Sequence, residues 1–428
     1  MINTMGLVVA SMFACSTDEN IRNSDKGSES VECNDGVCVL TGNIIGELNL
    51  TSDNIYLLRG GVYIGDDVTE SVINIEPGTT IYGESSTDGM LVVQRNSKIV
   101  ANGTASEPIV FTSSKEAGSR TRGDWGGIII NGNAPINSCG DGGFCEAFGE
   151  GATGYYGGDS PEDDSGTLSY VRVEFAGALI SPDNELNGIA LQGVGSGTIL
   201  DYIQVHMSAD DGVEFFGGNA NIKHLIVTGA GDDSLDWTDG WQGHGQYIVL
   251  QQHADAGDNG IEADNNGENN MALPFSDPTL SNMTIVGANG PSSDIGILMR
   301  EGTRVNIMNT LVYGWGESSL GINNETTWSH ATTGHLMISG TRVDSNNNFK
   351  LDSDESHTVH DWFFSGDSND EGGFILIDPQ NEEEPNFLLE QSVNGAISID
   401  NDFFDVIEYI GAIGDTDWTD GWTDYPKN

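Results

Sequence analysis

Three short stretches in the middle of the chain decide its fold: DDGVEFF at residues 210–216, DDSLDWT at residues 232–238 and DNGIEA at residues 258–263. Each places two acidic or amide residues before a small residue and continues into a short strand-like run. The starts of the three stretches lie 22 and 26 residues apart. The same pairing of a glycine with an aliphatic residue begins at Gly127, Gly188, Gly296 and Gly321.

A second strand-like segment falls between successive copies of this pattern. It reads LSYVRV at residues 168–173, LDYIQV at residues 200–205 and IKHLIV at residues 222–227. Such a repeat is too small to bury its own apolar face, and it is too short for a propeller blade of roughly 40 residues. Stacked repeats would pair their strands and share one core. The sequence therefore predicts an all-β fold, a right-handed parallel β-helix with inserted loops.

Changes in local residue composition define where the predicted coil begins and ends. Residues 41–360 carry short β-branched runs between Gly, Asn and Asp, and we assign them to the β-helix. Residues 361–428 are acidic and irregular, so we expect them to form a C-terminal cap. Residues 15–40 are polar, which favours a flexible tether.

The first 14 residues resemble a lipoprotein signal peptide. Residues 6–14, GLVVASMFA, form an apolar run that is too short to span a bilayer, and no Lys or Arg precedes it. Ala14 directly precedes Cys15, the position that is lipidated in bacterial lipoproteins. Asp18 and Glu19 then resemble the surface-export signal of Bacteroidetes lipoproteins. We therefore expect a lipid anchor in the outer membrane and exposure at the cell surface.

The charge of the chain narrows its possible partners. It has 428 residues and a formal net charge of −51, from 66 acidic and 15 basic residues. A surface this negative repels nucleic acids and polyanionic glycans. Two interpretations stay open: solubility in a salty habitat, and binding of divalent cations.

Four cysteines other than Cys15 form two close pairs, Cys33 with Cys38 and Cys139 with Cys145. In an exported chain, this spacing predicts two local disulfides. A four-thiolate zinc site is the alternative.

The acidic residues of the repeat fall into columns when the repeats are aligned, and the cluster is confined to three consecutive repeats. Stacked carboxylates repel one another unless cations or shared protons intervene, and many hard oxygen ligands suit Ca²⁺. We therefore predict a calcium site here, with turn-forming chemistry and catalysis as the alternatives. The candidate ligands are Asp210, Asp211, Glu214, Asp232, Asp233, Asp236, Asp258 and Glu262.

The catalytic alternative rests on Asp232, Asp233, Asp236 and His244. Gly231-Asp232-Asp233 followed by a His between glycines resembles motifs of the polygalacturonases, which hydrolyse glycosidic bonds with paired carboxylates. The Asn-Thr-Asp and Arg-Ile-Lys motifs of that family are absent here.

A second candidate calcium loop spans residues 344–355. Its oxygen-bearing side chains have the spacing of an EF-hand loop, although Phe349 stands where that loop has Gly. The candidate ligands are Asp344, Asn346, Asn348, Asp352 and Glu355.

Four aromatic residues are candidates for stacking against a sugar: Trp237, Trp241, Tyr247 and Trp315. The alternative is that these side chains pack beneath loops or at the corners of the coil.

Several motifs resemble those of a known family. They are DWGG at residues 124–127, GIEADNN at residues 260–266 and DWTDGW at residues 417–422, together with the repeats that surround them. They are similar to exported, pectate-lyase-like β-helix lipoproteins of Gram-negative bacteria, whose members are often labelled hypothetical or mislabelled multidrug transporters. The resemblance covers most of residues 55–428, and it implies the fold and location rather than an activity.

Together these observations lead us to expect a surface lipoprotein without enzymatic activity. Calcium would stabilise its β-helix, and it would bind a glycan or a partner protein of the outer membrane. A polysaccharide hydrolase or lyase is one alternative, and a structural or adhesive surface protein is the other.

We predict that the mature protein starts at a lipidated Cys15 and faces outward. Protease added to intact cells should therefore remove it, and a Cys15→Ser variant should leave the outer membrane. Full protection from the protease, or a Cys15→Ser variant that stays in the outer membrane, would contradict this.

Overall fold

The computed structural model describes residues 30–140, 143–181, 184–351 and 358–426. The predicted signal peptide, Cys15 and the first part of the predicted tether lie outside these residues. Asp352 and Glu355 of the second predicted calcium loop also lie outside them.

Short strands make up most of the described chain. The first part contains β1 Val31–Asn34, β2 Val37–Ile44, β3 Glu47–Leu50, β4 Ile55–Ile64, β5 Val72–Ile75, β6 Thr80–Gly83, β7 Met90–Val93, β8 Lys98–Asn102 and β9 Ile109–Ser113. The middle part contains β10 Gly127–Asn131, β11 Ala147–Phe148, β12 Tyr155–Tyr156, β13 Gly166–Glu174, β14 Leu179–Ser181, β15 Asn184–Glu185, β16 Ile189–Gln192, β17 Ile199–His206, β18 Val213–Phe216, β19 Asn221–Thr228, β20 Leu235–Thr238, β21 His244–Gln251 and β22 Ile261–Ala263. The last part contains β23 Thr279–Val286, β24 Ile295–Met299, β25 Val305–Met308, β26 Leu311–Tyr313, β27 Ser318–Ile322, β28 Leu336–Ser339, β29 Arg342–Asp344, β30 Asp370–Glu371, β31 Leu376–Asp378 and β32 Asn386–Leu389.

In the described parts of the chain, helices are few and short. A 3₁₀ turn covers Glu150–Ala152, and the α-helices are α1 Glu325–Thr333 and α2 Val359–Ser365. Within the described ranges, no helix has the length and apolar character needed to cross a membrane.

The strands of the coil form three parallel ladders, and this arrangement confirms the predicted parallel β-helix. The first ladder runs through β7, β10, β16, β18, β20, β22, β24 and β27. Long strands such as β17 and β19 bend, so that one half joins the second ladder and the other half joins the third. The β1–β2 pair at the start of the coil is antiparallel.

Alternation along the first ladder separates core from surface. Val213, Leu235 and Ile261 lie in register with one another, are no more than 1% exposed and belong to the core. Neighbouring residues in a strand point to opposite faces of the sheet. The residues that directly follow these three, Glu214, Asp236 and Glu262, therefore point away from the core.

Both predicted ends of the coil differ from the structure. The first strand, β1, begins at Val31, inside the range that was predicted to be a tether. It forms a hairpin with β2, in which Cys33 pairs with Cys38. At the other end, β30 still pairs with β29, so the coil continues past residue 360. Helix α2 packs Val359 and Phe363 into the main core near this end.

The segment 374–426, which was predicted to cap the coil, runs along its flank instead. Its backbone accepts hydrogen bonds from side chains of several different turns: Asn309 donates to Ile397, and Gln204 donates to Asp424. Trp422 is 2% exposed and packs in a separate apolar cluster with residues of the coil. Apolar side chains on the outer face of the third ladder explain this position, because Ile226, Val249 and Val286 would otherwise be exposed.

An aromatic stack marks the bend between the second and third ladders. Tyr170, Tyr202, His224 and Tyr247 occupy equivalent positions and all have positive φ, between 46° and 62°. Successive ring centroids lie 4.3, 4.1 and 4.8 Å apart. Trp422 meets Tyr170 and Tyr202 edge-on. Stacking and the covering flank segment thus hold a backbone conformation that is unfavourable for residues other than Gly.

The two predicted disulfides, Cys33–Cys38 and Cys139–Cys145, are confirmed. The first closes the β1–β2 hairpin, and the second closes a loop that is inserted after β10. Because the four sulfur atoms are bonded in pairs, they do not form a four-thiolate zinc site.

We predict that Trp422→Ala detaches the flank segment and destabilises the protein. Truncation of a buried tryptophan costs about 3–5 kcal/mol, and here it also removes the edge contacts to Tyr170 and Tyr202. Urea unfolding should show this loss, and Trp422→Phe should lose less. An unchanged midpoint in Trp422→Ala would show that the segment does not stabilise the coil.

Candidate metal-binding site

The acidic columns lie on the outer face of the first ladder, at the turns that lead into β18, β20 and β22. Glu214 pairs in register with Asp236, and Asp236 pairs with Glu262. In the flanking rungs the same column holds Ala190 and Leu298. Three consecutive rungs therefore present a carboxylate at one outward position.

The turn residues of successive rungs bind one another through the backbone. The backbone N–H of Asp233 donates to Oδ1 of Asp211 at 3.0 Å, and the backbone N–H of Asn259 donates to Oδ1 of Asp233 at 2.6 Å. Gly212 donates its N–H to the carbonyl oxygen of Asp233 at 2.9 Å. These bonds fix Asp211 and Asp233 above one another.

The eight predicted ligands come together in four groups of three. Within each group, one carboxylate oxygen from each residue lies within 4.8 Å of the other two. The outer triads are Asp210–Asp211–Asp232 and Asp232–Asp233–Asp258, and the inner triads are Asp211–Glu214–Asp236 and Asp233–Asp236–Glu262. Asp211, Asp232, Asp233 and Asp236 each belong to two triads. The four groups are therefore one continuous cluster.

Burial makes this cluster costly in its ionised form. Asp211, Glu214 and Asp233 are 6%, 8% and 3% exposed. Burial, reinforced by the neighbouring carboxylates, raises the pKa of these three side chains and of Asp236 well above the ordinary values. Burial followed by the same repulsion raises the pKa of Asp210 to about 7.

Few protein groups compensate this charge. Arg300 forms an ion pair with Glu262 and with Asp264, at 2.9 Å from the latter. Among the described residues, the other seven carboxylates of the cluster form no ion pair. Oδ1 of Asp236 is buried and has no hydrogen-bond partner. The cluster therefore needs protons or cations, and its buried hard oxygens could hold a metal ion.

The predicted catalytic quartet is not assembled. His244 begins β21 in the second ladder, whereas Asp233 and Asp236 belong to the first. The His244 ring contacts Phe403 and Phe404, and its Nε2 lies 3.1 Å from Nδ2 of Asn401 on the flank segment. The carboxylate oxygens of the triads are also closer than the roughly 6.5–9.5 Å that inverting glycosidases need.

The described part of the second candidate loop shows one side chain already engaged. Oδ1 of Asn348 accepts hydrogen bonds from the backbone of Ser345 and from the hydroxyl of Ser319. Asp344 ends β29 and is exposed. Calcium binding by Asp344, Asn346 and Asn348 together with Asp352 and Glu355 stays a prediction.

The aromatic residues that were predicted to stack on a sugar are buried, so that prediction is wrong. Trp237, Trp241 and Trp315 are fully buried in the core, and Tyr247 is 6% exposed within the aromatic stack. Trp241 stacks on Phe215 with ring centroids 4.0 Å apart. Their inward positions in the coil, or beneath its turns, leave no surface for a ligand.

Other carboxylates near the cluster come from inserted segments and were missed by the sequence analysis. Glu150 and Glu185 are close enough to the cluster to contribute, after burial and Asp232, to the raised pKa of Asp210. No signal in the sequence relates these residues to the repeat, because their spacing is unrelated to its period.

Fold and site together define a parallel β-helix protein with a buried acidic ladder. The chain belongs to the family described as pectate-lyase-like β-helix domain, whose model matches residues 42–374. Members of this fold often bind or degrade carbohydrates. No curated protein matches the chain.

One solved structure that matches part of the chain is the full-length tailspike protein 2 of the Escherichia coli O157:H7 bacteriophage CAB120. The identity is 11% and the TM-score is 0.24, with 75% of this chain and 43% of the tailspike chain covered.

We predict that the metal-free protein becomes more stable on mild acidification. Carboxyl groups whose folded pKa is raised are stabilising while protonated, and they lose that contribution as the pH rises through the folded pKa. With a chelator present, the melting temperature should therefore rise from about pH 8 to about pH 5, since the pKa values of Asp210 and Glu262 are about 7. Asp236→Asn should raise the melting temperature at pH 8 and flatten the dependence. A melting temperature that falls steadily on acidification would contradict the proposed burial of charge.

Proposed function

We propose that this protein is a non-enzymatic lipoprotein on the surface of a Gram-negative bacterium, in which calcium bound to the acidic ladder stabilises a glycan-binding β-helix. A partner protein of the outer membrane is the other candidate ligand. The observation that carries the proposal is the cluster of four interlocking carboxylate triads, for which Arg300 is the one ion-paired arginine among the described residues.

Charge and ligand type favour calcium over the alternatives. Eight carboxylates carry eight negative charges when ionised, and a divalent ion in each of the four triads would balance them. Ca²⁺ takes six to eight oxygen ligands in flexible geometry, whereas Mg²⁺ requires a near-ideal octahedron. The shared carboxylates of the ladder suit bridging between neighbouring ions. A preference of Asp and Asn for turns does not explain the acidic residues at Glu214, Asp236 and Glu262, because these three lie within strands.

A hydrolase or lyase has less support. The cluster contains no histidine, and its described arginine, Arg300, is held between Glu262 and Asp264. A base or acid beside a bound sugar needs a group that is free to exchange a proton, whereas calcium in the ladder would hold these carboxylates as ligands. A purely adhesive role fits the same fold, but it does not account for the metal-ligand chemistry of the ladder.

The cellular location rests on the N-terminal sequence. The apolar run that ends at Cys15 and the acidic residues behind it support a lipid anchor and export to the surface. The two disulfides agree with an oxidising compartment.

We predict that calcium raises the melting temperature at neutral pH relative to a chelator. An ion that binds only the folded state adds about 2.7 kcal/mol at a hundredfold excess over its dissociation constant. Titration calorimetry should detect binding, and the double variant Asp233→Asn, Asp236→Asn should lose most of both effects. The matched control is Asp402→Asn, Glu408→Gln, which removes two exposed charges on the flank segment.

Equal responses of the two double variants would show that calcium acts by general screening. No response of the wild-type protein to calcium would leave proton sharing as the explanation of the ladder and would refute the proposal.

A further inference from the structure

Two inserted hairpins lie beside the acidic cluster and carry exposed apolar side chains. Strands β11 and β12 pair Phe148 with Tyr155, and strands β14 and β15 follow β13. Phe148 and Tyr155 are 57% and 53% exposed, and their rings meet edge-to-face with centroids 5.0 Å apart. Leu179 on β14 is 60% exposed.

The opposite side of the first hairpin is held firmly on the coil. Tyr156 packs in an apolar cluster with Ala190 and Phe216 on the outer face of the first ladder, and its hydroxyl donates to Asp239. Because Phe148 and Tyr155 are a directly opposed pair, they project on the same side of the hairpin. Two adjoining aromatic rings are thus presented to solvent from an anchored base, which is the arrangement of a binding surface rather than of a core.

The first hairpin lies beside the acidic cluster: Tyr156 packs with Ala190, which pairs in register with Glu214, and with Phe216, which lies two residues after Glu214 in β18. Glu150 follows Phe148 by two residues and contributes to the raised pKa of Asp210, after burial and Asp232. The hairpins also touch each other, since a Cβ at Gly151 would lie 2.9 Å from Leu186. Asp232 is exposed and is shared by both outer triads, whereas neither inner triad contains an exposed residue. An ion in an outer triad would therefore be open to solvent on the face of the coil that carries the first hairpin.

A second observation points to a ligand at the cluster. Asn187 is 2% exposed, and its Nδ2 donates to Oε2 of Glu214 at 2.6 Å. Its Oδ1 is buried and has no hydrogen-bond partner. A buried amide oxygen of this kind costs free energy unless a partner satisfies it, and it lies against an inner triad of hard oxygen ligands.

We propose that Phe148, Tyr155 and the outer triad Asp210–Asp211–Asp232 form a binding surface for a neutral glycan. The inference rests on the calcium binding proposed above: three carboxylates leave coordination positions of Ca²⁺ open, and vicinal hydroxyls of a sugar fill them. The aromatic rings contact the apolar C–H face of the same sugar or its neighbour, and Glu150 and Glu185 accept hydrogen bonds from hydroxyl groups.

Charge selects among the possible ligands. Four bound calcium ions would offset only eight of the 51 net negative charges, so the surface still repels acidic polysaccharides. A cationic ligand would compete with calcium for the carboxylates, and calcium would therefore weaken its binding. A neutral glycan can bind both the calcium ion and the aromatic rings without electrostatic repulsion.

Affinity electrophoresis tests the proposal with defined probes: native gels that contain mannan, xylan or β-glucan, and a gel that contains polygalacturonate. The wild-type protein should be retarded with calcium in at least one neutral gel, and chelator should abolish the retardation. The double variant Phe148→Ala, Tyr155→Ala should bind about tenfold more weakly while it keeps the full rise in melting temperature with calcium. Phe364→Ala, which removes an exposed aromatic ring on α2, should bind like the wild type.

The outcomes separate this surface from the metal site. No retardation in any neutral gel, retardation that survives chelator, or equal binding by the Phe148→Ala, Tyr155→Ala variant overturns the glycan surface even if calcium still raises the melting temperature. Retention by polygalacturonate alone, or binding of spermine that calcium weakens, overturns it in favour of a charged ligand. Absence of any thermal response to calcium refutes the metal site itself.

Discussion

Parallel backbone pairing between successive turns is the constraint on which the rest of the structure depends. Each strand bonds to the equivalent strand of the next turn, so a given position of the repeat is stacked on itself at a spacing of about 4.8 Å. Aliphatic residues stacked in this way, such as Val213, Leu235 and Ile261, build the core. Polar residues at equivalent positions are stacked in the same way, even where their stacking is electrostatically unfavourable. This stacking brings Glu214, Asp236 and Glu262 together although like charges repel.

Stacking thus converts a short sequence repeat into a multivalent surface feature. On one side of the coil, the stacked aromatic rings from Tyr170 to Tyr247 stabilise a strained bend and support the flank segment through Trp422. On another side, stacked carboxylates create a dense set of hard oxygen ligands, of which Asp236 keeps one oxygen unpaired. The difference lies in the partners: the aromatic column packs against other side chains of the protein, whereas the acidic column, apart from the Glu262–Arg300 ion pair, needs protons or cations from solution to offset its charge.

The sequence was sufficient for the parallel coil and for the eight residues of the acidic cluster, because stacking multiplies the local pattern of the repeat. It was also sufficient for the two disulfides, because each joins cysteines that are only five or six residues apart. The sequence was insufficient for contacts that involve segments outside the repeat, and for deciding which side chains of the repeat face inward. Trp237 and Trp315 have the composition of a sugar platform but point inward, which only the register decides. The exposed pair of Phe148 and Tyr155, the nearby Glu150 and the flank position of residues 374–426 arise from insertions and long-range packing.

The central claim is that cations neutralise the acidic ladder. Its most direct test is a crystal structure grown in calcium and measured at a wavelength that reveals the anomalous signal of the ion. The account predicts anomalous peaks inside the triads formed by Asp210, Asp211, Asp232 and their neighbours, with carboxylate oxygens at about 2.3–2.6 Å from each ion. Triads without anomalous density in saturating calcium, with carboxyl pairs held together by shared protons, would contradict it.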